Sequence, residues 1–333
     1  MSMSQEPSLF DLDSAPPSPN SSGEDAELES VYAWFLSQKD YSDRFGEVLR
    51  KSIDEVLDGQ RTGRYDLSVS KGEGRVEKTE KTYLGTKVEI VARAEFELGY
   101  GSPMDYTIEG TSVDAKFTSG SNWAIPKEAI GHICLLMAAN DQKGVFQVGL
   151  LRTTMDTLNL GENGDGKRTV SAFGRKQIRW IIPNGKLPKN FLLDLKKNSP
   201  HILESIWGVS NGYKGSRNGG QARVNNLFRL LPGELLDRTT VVTVAMQHDG
   251  PKRVRDARGH LKSSGYIILG HLKPAPQIAS DLGLPIPNKG SWVSARLTHV
   301  HEDDDRPSTV IDGLRYGLWR EGDMTVTAPT IAT

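Results

Sequence analysis

Cysteine is nearly missing from this 333-residue chain: Cys134 stands alone. One thiol closes no intrachain disulfide, so the fold must rest on its apolar core, and a reducing compartment is expected. Long hydrophobic runs are also missing. The longest, Ile133 to Ala139, falls far short of the ~20 residues that a membrane-crossing helix needs. Met1 to Phe10 has no basic segment followed by an apolar stretch, so a secretory leader is not expected and a cytoplasmic location is. The seven histidines are scattered rather than set at zinc-ligand spacing, which argues against a zinc centre. There is no overall excess of charge either, with 41 Lys plus Arg against 42 Asp plus Glu. What remains is the composition of a soluble protein of about two domains.

The near-neutral total conceals segregation along the chain. Residues 1–30 hold seven acids and no base in a stretch rich in Ser and Pro, a composition that buries too little apolar surface to order itself. A disordered acidic tail is expected there. Residues 185–300 hold 17 bases against 7 acids, a surplus of +10. That surplus is the electrostatic footprint of a polyanion partner.

Periodicity gives the organisation. Phe45, Val48, Leu49, Ile53, Val56 and Leu57 recur at helical spacing and stop at Asp58 and Gly59, which reads as a long helix. A polar connection through Arg75 to Lys81 leads to a second helix carrying Val88, Val91, Ala94 and Leu98. Strands are expected at Met104 to Ile108 and Ser112 to Thr118, joined by a Glu109-Gly110 turn. Ile130, Ile133, Cys134 and Met137 follow helical spacing after Pro126 and predict a buried helix. Val145 to Leu151 predicts a strand, and the glycine-rich stretch 159–167 an exposed loop. The element order describes an α/β (α+β) layer with a mixed sheet flanked by helices. The expected divisions are a tail at 1–30, a first domain at 31–183, a linker at 184–188 and a second, mainly helical domain at 189–325.

In the second domain a loop with four glycines spans Asn211 to Gly220, and Val224, Leu227, Phe228 and Leu231 predict a helix ending at Pro232. Helices follow over Arg238 to Met246 and over a short basic stretch, then a strand at Tyr266 to Leu269. This is the order of a winged helix-turn-helix. In the basic helix Lys252, Arg255 and Arg258 share one face, with Arg253 beside them, while Val254 and Ala257 lie on another. That face suits a DNA groove or its phosphates. Gln221, Arg223 and Asn225 open the first helix of the motif and are candidates for backbone contact.

The chemistry concentrates at Asp105 to Lys116. With a two-residue turn at Glu109 and Gly110, paired positions place Asp105 opposite Asp114. Facing side chains in an antiparallel pair lie about 4.5–5.5 Å apart at Cβ, where like charges repel. A divalent cation such as Mg²⁺ bridging the two carboxylates would offset the repulsion. Lys116 lies two residues beyond Asp114 and so shares its face, while Val113, Ala115 and Phe117 face the core. Glu89, on the preceding helix, is a candidate third carboxylate. Two acids, a cation and an ammonium group meet the needs of phosphodiester hydrolysis; exposed strand charges paired with Lys116 are the plainer alternative.

The stretch from Pro103 and Asp105 to Asp114 and Lys116 resembles the PD-(D/E)xK nuclease signature. Together with Asp58 to Tyr65, Lys78 to Thr82, Gly85 and Thr86, Val88 to Ile90, Ile130 to Leu135, Gly220 to Asn225 and Lys252 to Arg255, it resembles the NaeI family of type II restriction endonucleases. The match runs from about Asp54 to about Arg296. The resemblance implies a restriction-endonuclease-like domain followed by a catabolite-activator-like winged-helix domain, in a homodimer that cuts double-stranded DNA at GCCGGC. It also implies Mg²⁺ as cofactor, a second DNA site acting as effector, and a cognate DNA methyltransferase as functional partner. Glu89, Asp105, Asp114 and Lys116 fall on the family's active-site positions. The family's ligase-like patch reads Val56 to Gly59 here, with Val56 where adenylation needs lysine, so ligase activity is not expected. Two other readings are a strand-nicking repair endonuclease and a winged-helix regulator with an inactive nuclease domain.

Overall fold

A computed structural model describes residues 25–209 and 219–331. The greater part of the expected acidic tail, 1–24, and most of the glycine-rich loop, 210–218, therefore lie outside the described residues. The chain divides into two compact units, one of residues 1–57 and 66–189, the other of 58–65 and 190–333.

The first unit opens with α1 (Ala26–Ser37) and α2 (Tyr41–Leu57); α3 (Gly59–Thr62) belongs to the second unit, and α4 (Lys78–Glu95) returns to the first. There follow β1 (Gly99–Tyr100), β2 (Tyr106–Ile108), β3 (Thr111–Thr118), β4 (Ala124–Ile125), β5 (Ile133–Asn140), β6 (Val145–Arg152), β7 (Leu158–Glu162), β8 (Arg168–Val170), α5 (Ala172–Lys176) and β9 (Arg179–Lys186). Among the described residues β1-β2-β3-β5-β6-β9 form one sheet, in which β3 and β5 run parallel and the other neighbours antiparallel. The α/β class with a mixed sheet is thus as the sequence implies.

Several elements differ from expectation, each for a physical reason. The ordered chain begins before residue 30: Asp25 caps α1 through the Leu28 N–H, and Arg152 binds Asp25 and Glu27 while Arg179 binds Glu29. Acids that look like a solvated tail are the partners of strand arginines. Ile133 to Ala139 is a strand, not the predicted helix, because its sheet is covered on both faces. Ile133, Leu135, Met137 and Ala139 enter the core with α2 and α4, and Cys134, Leu136 and Ala138 enter the opposite core with Trp123 and Leu151. A strand buried on both faces reads as an unbroken apolar run, and helical spacing within it is incidental. Residues 159–167 are not a simple loop, since β7 and β8 pair as a hairpin around Asn163, whose side chain accepts from the Asp165 and Lys167 N–H groups. Strand β9 runs through Lys186, so strand occupies the first three positions of the segment read as a linker. Helix α4 starts at Lys78, where Glu77 and Glu80 form a capping box within the stretch read as a connection.

The second unit contains α6 (Phe191–Asn198), α7 (Pro200–Gly208), α8 (Gly219–Leu230), β10 (Leu235–Asp237), α9 (Arg238–Ala245), α10 (Gly250–Lys262), β11 (Tyr266–Leu269), α11 (Ala275–Asp281), β12 (Ser291–His299), β13 (Ser308–Ile311) and β14 (Leu314–Leu318). Val224, Leu227, Phe228, Val241, Val244, Val254, Ala257 and Leu261 form the core that binds α8, α9 and α10 together. The segment 58–65 belongs here because Gly59 lies so close to α9 that a Cβ would meet Thr243 Oγ1 at 2.3 Å, and because Asn190 donates to the Tyr65 carbonyl at 2.7 Å.

Arg50 on α2 is 6% exposed and binds Asp54 at 2.7 Å and Asp141, in the β5–β6 turn, at 2.6 Å. Burial disfavours its charge, but the two carboxylates outweigh that and raise its pKa. Removing one partner of a buried pair strands the other in low dielectric. Arg50→Ala is expected to cost about 3 kcal/mol, measured as a lowered midpoint in urea unfolding.

Candidate active site

The β2–β3 hairpin builds the site. Its turn places Glu109 at φ 48° and Gly110 at φ 77°, the left-handed pair that a two-residue turn needs to match strand twist. The register is Tyr106 to Val113, Thr107 to Ser112 and Ile108 to Thr111, and one step outward sets Asp105 against Asp114. The Asp105 carboxylate accepts from the Ala115 N–H at 2.7 Å, which holds it against the strand that carries Asp114.

Parallel pairing with β5 supplies the rest. Asp114 stands beside Cys134, whose thiol donates to Asp114 Oδ2 at 3.6 Å. Lys116, on the same face of β3, places Nζ 2.5 Å from that oxygen. Asp114 is 7% exposed. Burial pushes its pKa up; the Lys116 ammonium pulls the other way, and the neighbouring Asp105 carboxyl pushes up again, so the net shift is upward. Burial, then the negative charge of Asp114, raises the Cys134 thiol well above its ordinary value, leaving Cys134 a packed hydrogen-bond donor and not a nucleophile.

Glu89 approaches from α4. Its backbone carbonyl accepts from the Tyr106 hydroxyl at 2.9 Å, and its carboxylate accepts from Arg93 Nη2 at 2.7 Å. Burial first, and then the charges of Glu89, Asp105 and Asp114, push the Tyr106 phenol far upward against the pull of Arg93, so all three acids act on that hydroxyl. They do not form the expected three-carboxylate metal set: among the described residues no group of three or more His, Cys, Asp or Glu side chains is placed to hold a metal. Instead, Glu89 pairs with a helix neighbour. The Asp105 and Asp114 carboxylates are hard oxygen donors side by side, and Mg²⁺ is commonly bound through one or two carboxylates, so this pair fits a sparsely ligated divalent cation.

The candidate DNA-contacting residues of the second unit separate into two groups. Gln221 and Arg223 turn inward, and Asn225 is half-buried. Arg223 is 8% exposed and donates to the Val244 and Ala245 carbonyls; Gln221 bridges Asn225 and the Arg253 carbonyl; Asn225 meets His260 Nδ1 at 3.1 Å. Arg258 donates to the Ile268 carbonyl at 3.0 Å, and burial lowers its pKa. Arg253 reaches Gln221 and Asp256. Most of their polar groups meet main-chain and side-chain partners that sequence spacing does not reveal, the buried Arg253 Nε being an exception. Lys252 and Arg255 are exposed on α10, as spacing implies, and His260, which the sequence reading missed, shares the exposed surface. Asp58 has left-handed φ, leads into α3 and binds Arg61.

These features belong to a site-specific deoxyribonuclease of the restriction type. The family model described as Restriction endonuclease NaeI matches residues 30–327. The type II restriction enzyme NaeI of Lentzea aerocolonigenes is 41% identical over 312 residues, spanning 92% of this chain and 95% of that protein. The chain belongs to the NaeI family of restriction endonucleases.

The raised pKa of Asp114 has a consequence for stability. A carboxyl whose folded pKa lies above its unfolded value retains its proton longer in the native state, so its contribution to stability falls as pH rises through that window. Asp114→Asn, which mimics the protonated form, is expected to raise the unfolding temperature at neutral pH in chelator. The gain should close as pH falls toward about 4, the ordinary carboxyl range. Scanning calorimetry across pH checks both the sign and the window.

Proposed function

We propose that the protein is a Mg²⁺-dependent type II restriction endonuclease that hydrolyses both strands of a palindromic GC-rich site, GCCGGC being the sequence that family resemblance supplies. The observation that carries this reading is the Asp105, Asp114 and Lys116 constellation. Two opposed carboxylates and an ammonium group lie on β3 and on the chain entering β2, with one acid buried so that on balance its charge is disfavoured. When bound there, the cation supplies Lewis-acid activation of the phosphoryl group and of water. Asp105 and Asp114 would hold it. Asp105 is oriented by the Ala115 N–H and Asp114 by Cys134 and Lys116. The Lys116 ammonium brings positive charge to where the pentavalent phosphorus builds up negative charge, and it is positioned before the reaction begins.

DNA engagement falls to the second unit in this reading. The sequence α8, α9, α10, β11 and the β12–β14 strands supports a winged helix-turn-helix, with α10 presenting Lys252 and Arg255 outward while Val254, Ala257 and Leu261 are buried. The two-fold symmetry of a palindrome suits a homodimer. A second bound site as effector, a partner methyltransferase protecting host DNA and a cytoplasmic location complete the proposal.

The test incubates the protein with one-site and two-site plasmids, in Mg²⁺ or chelator, and sequences the ends. Double-strand cutting in Mg²⁺ alone, faster on two sites, is expected. Breaks in one strand only would point to a nicking repair enzyme, and salt-sensitive binding without scission to a regulator. Asp114→Ala and Lys116→Ala are each expected to slow cleavage by at least about a hundredfold while leaving DNA affinity in chelator within about threefold. Normal plasmid cutting by either variant would refute the site. Lys252→Ala and Arg255→Ala should each reduce the log–log salt dependence of binding by about one, read by titration at several salt concentrations.

A further inference from the structure

Arg93 does more at this site than an ordinary helix-surface arginine. One nitrogen, Nη2, donates both to Glu89 Oε1 at 2.7 Å and to the main-chain carbonyl of Asp105 at 3.2 Å. The guanidinium carbon lies 4.6 Å from the centre of the Tyr100 ring and 5.4 Å from that of Tyr106. Tyr106 in turn donates its hydroxyl to the Glu89 carbonyl. Arg93 thereby joins α4, β1 and the chain entering β2 at a single group. An arginine kept only as the i+4 partner of a glutamate needs neither the second acceptor nor the rings.

A second nitrogen strengthens the case. Arg93 Nε is buried and has no hydrogen-bond partner. A buried donor left unpaired is unfavourable, and such groups persist where the surrounding arrangement is needed for another purpose. Here a single guanidinium nitrogen holds one acid side chain and the backbone of another in fixed relation, while the planar group lies against the tyrosine rings. Glu89 is held through one oxygen and Asp105 through its carbonyl, while the Asp105 carboxylate is independently directed by the Ala115 N–H. A lysine, with its charge at one point and no flat face to lie against tyrosine, could not reproduce this.

We propose that Arg93 is a positioning residue that, by tying the Glu89 side chain to the Asp105 main chain, sets how these acids stand about the Asp105–Asp114 pair and so the affinity of the site for a divalent cation. This rests on the carboxylate reading of the active site given above. Outer partners that orient metal-binding side chains typically change metal affinity by about 10- to 100-fold when removed.

The test uses the full chain with Mn²⁺ as probe and reads binding from loss of the free-ion electron paramagnetic resonance signal, without DNA. Arg93→Met is expected to weaken Mn²⁺ binding about tenfold and to raise the half-saturating Mg²⁺ for plasmid cleavage by a similar factor. DNA affinity in chelator should change by less than about twofold, and Arg93→Lys should fall between Met and wild type. If Arg93 acts through Glu89, adding Arg93→Met to Glu89→Gln should weaken Mn²⁺ binding little further. Unchanged or tighter Mn²⁺ binding in the Arg93 variants, with binding weakened by Glu89→Gln, overturns the inference alone. If Glu89→Gln and Asp114→Asn both bind Mn²⁺ like the wild type, the carboxylate reading fails and takes the inference with it. Should Arg93→Met prove unfolded by circular dichroism, Arg93→Lys carries the same comparison.

Discussion

The parallel pairing of β3 with β5 is the constraint on which the first unit depends. It sets Asp114 beside Cys134 and Lys116 beside Leu136, so a charged strand runs along one that is buried on both faces. Every residue of β5 from Ile133 to Ala139 is then committed to one core or the other. A one-residue slip would exchange the two sets and place Asp114 on the face now filled by Val113, Ala115 and Phe117. The register that packs the sheet is therefore the register that exposes the acids to one another.

The same pairing explains why the site is electrostatically unsettled. Asp114 is taken out of water by the sheet, and the hairpin turns Asp105 toward it. Lys116 offsets part of this, yet the balance still raises the Asp114 pKa above its ordinary value. A fold selected for stability alone would replace one of these acids. Retaining both is the pattern of a site arranged for something that neutralises them, at some cost to the free protein. Arg93 and the Tyr100 and Tyr106 rings lie beside it, joining α4 to the chain that carries Asp105 into β2.

Much of this was legible from the chain. The hairpin could be read because turn chemistry and the period of two are local properties, and both the register of β2 with β3 and the shared face of Asp114 and Lys116 follow from them. The α2 and α10 helices were readable for the same reason, each carrying a single apolar face with Val254 and Ala257 inward. Ile130 to Met137 misled because a fully buried strand shows no alternation, and three or four apolar residues meet helical spacing whenever all residues are apolar. Asp25, Glu27 and Glu29 misled because their partners, Arg152 and Arg179, lie over a hundred residues away. Arg223, Gln221 and Arg258 looked available for DNA because spacing reports neither which carbonyls lie within reach nor how deeply a guanidinium is packed.

Sequence by itself determined the mixed α/β class, the family, the opposed aspartates with their lysine, and a basic C-terminal half. These rest on local periodicity, turn residues and motif order, which neighbouring residues encode. Tertiary structure alone decided that Cys134 supports Asp114, that Glu89 is tied to Arg93, and that of the basic candidates in the second unit Lys252 and Arg255 are the ones left exposed. Those outcomes depend on contacts between distant segments, where burial, the placement of carbonyl groups and competition between cations select among side chains that look equivalent in the chain.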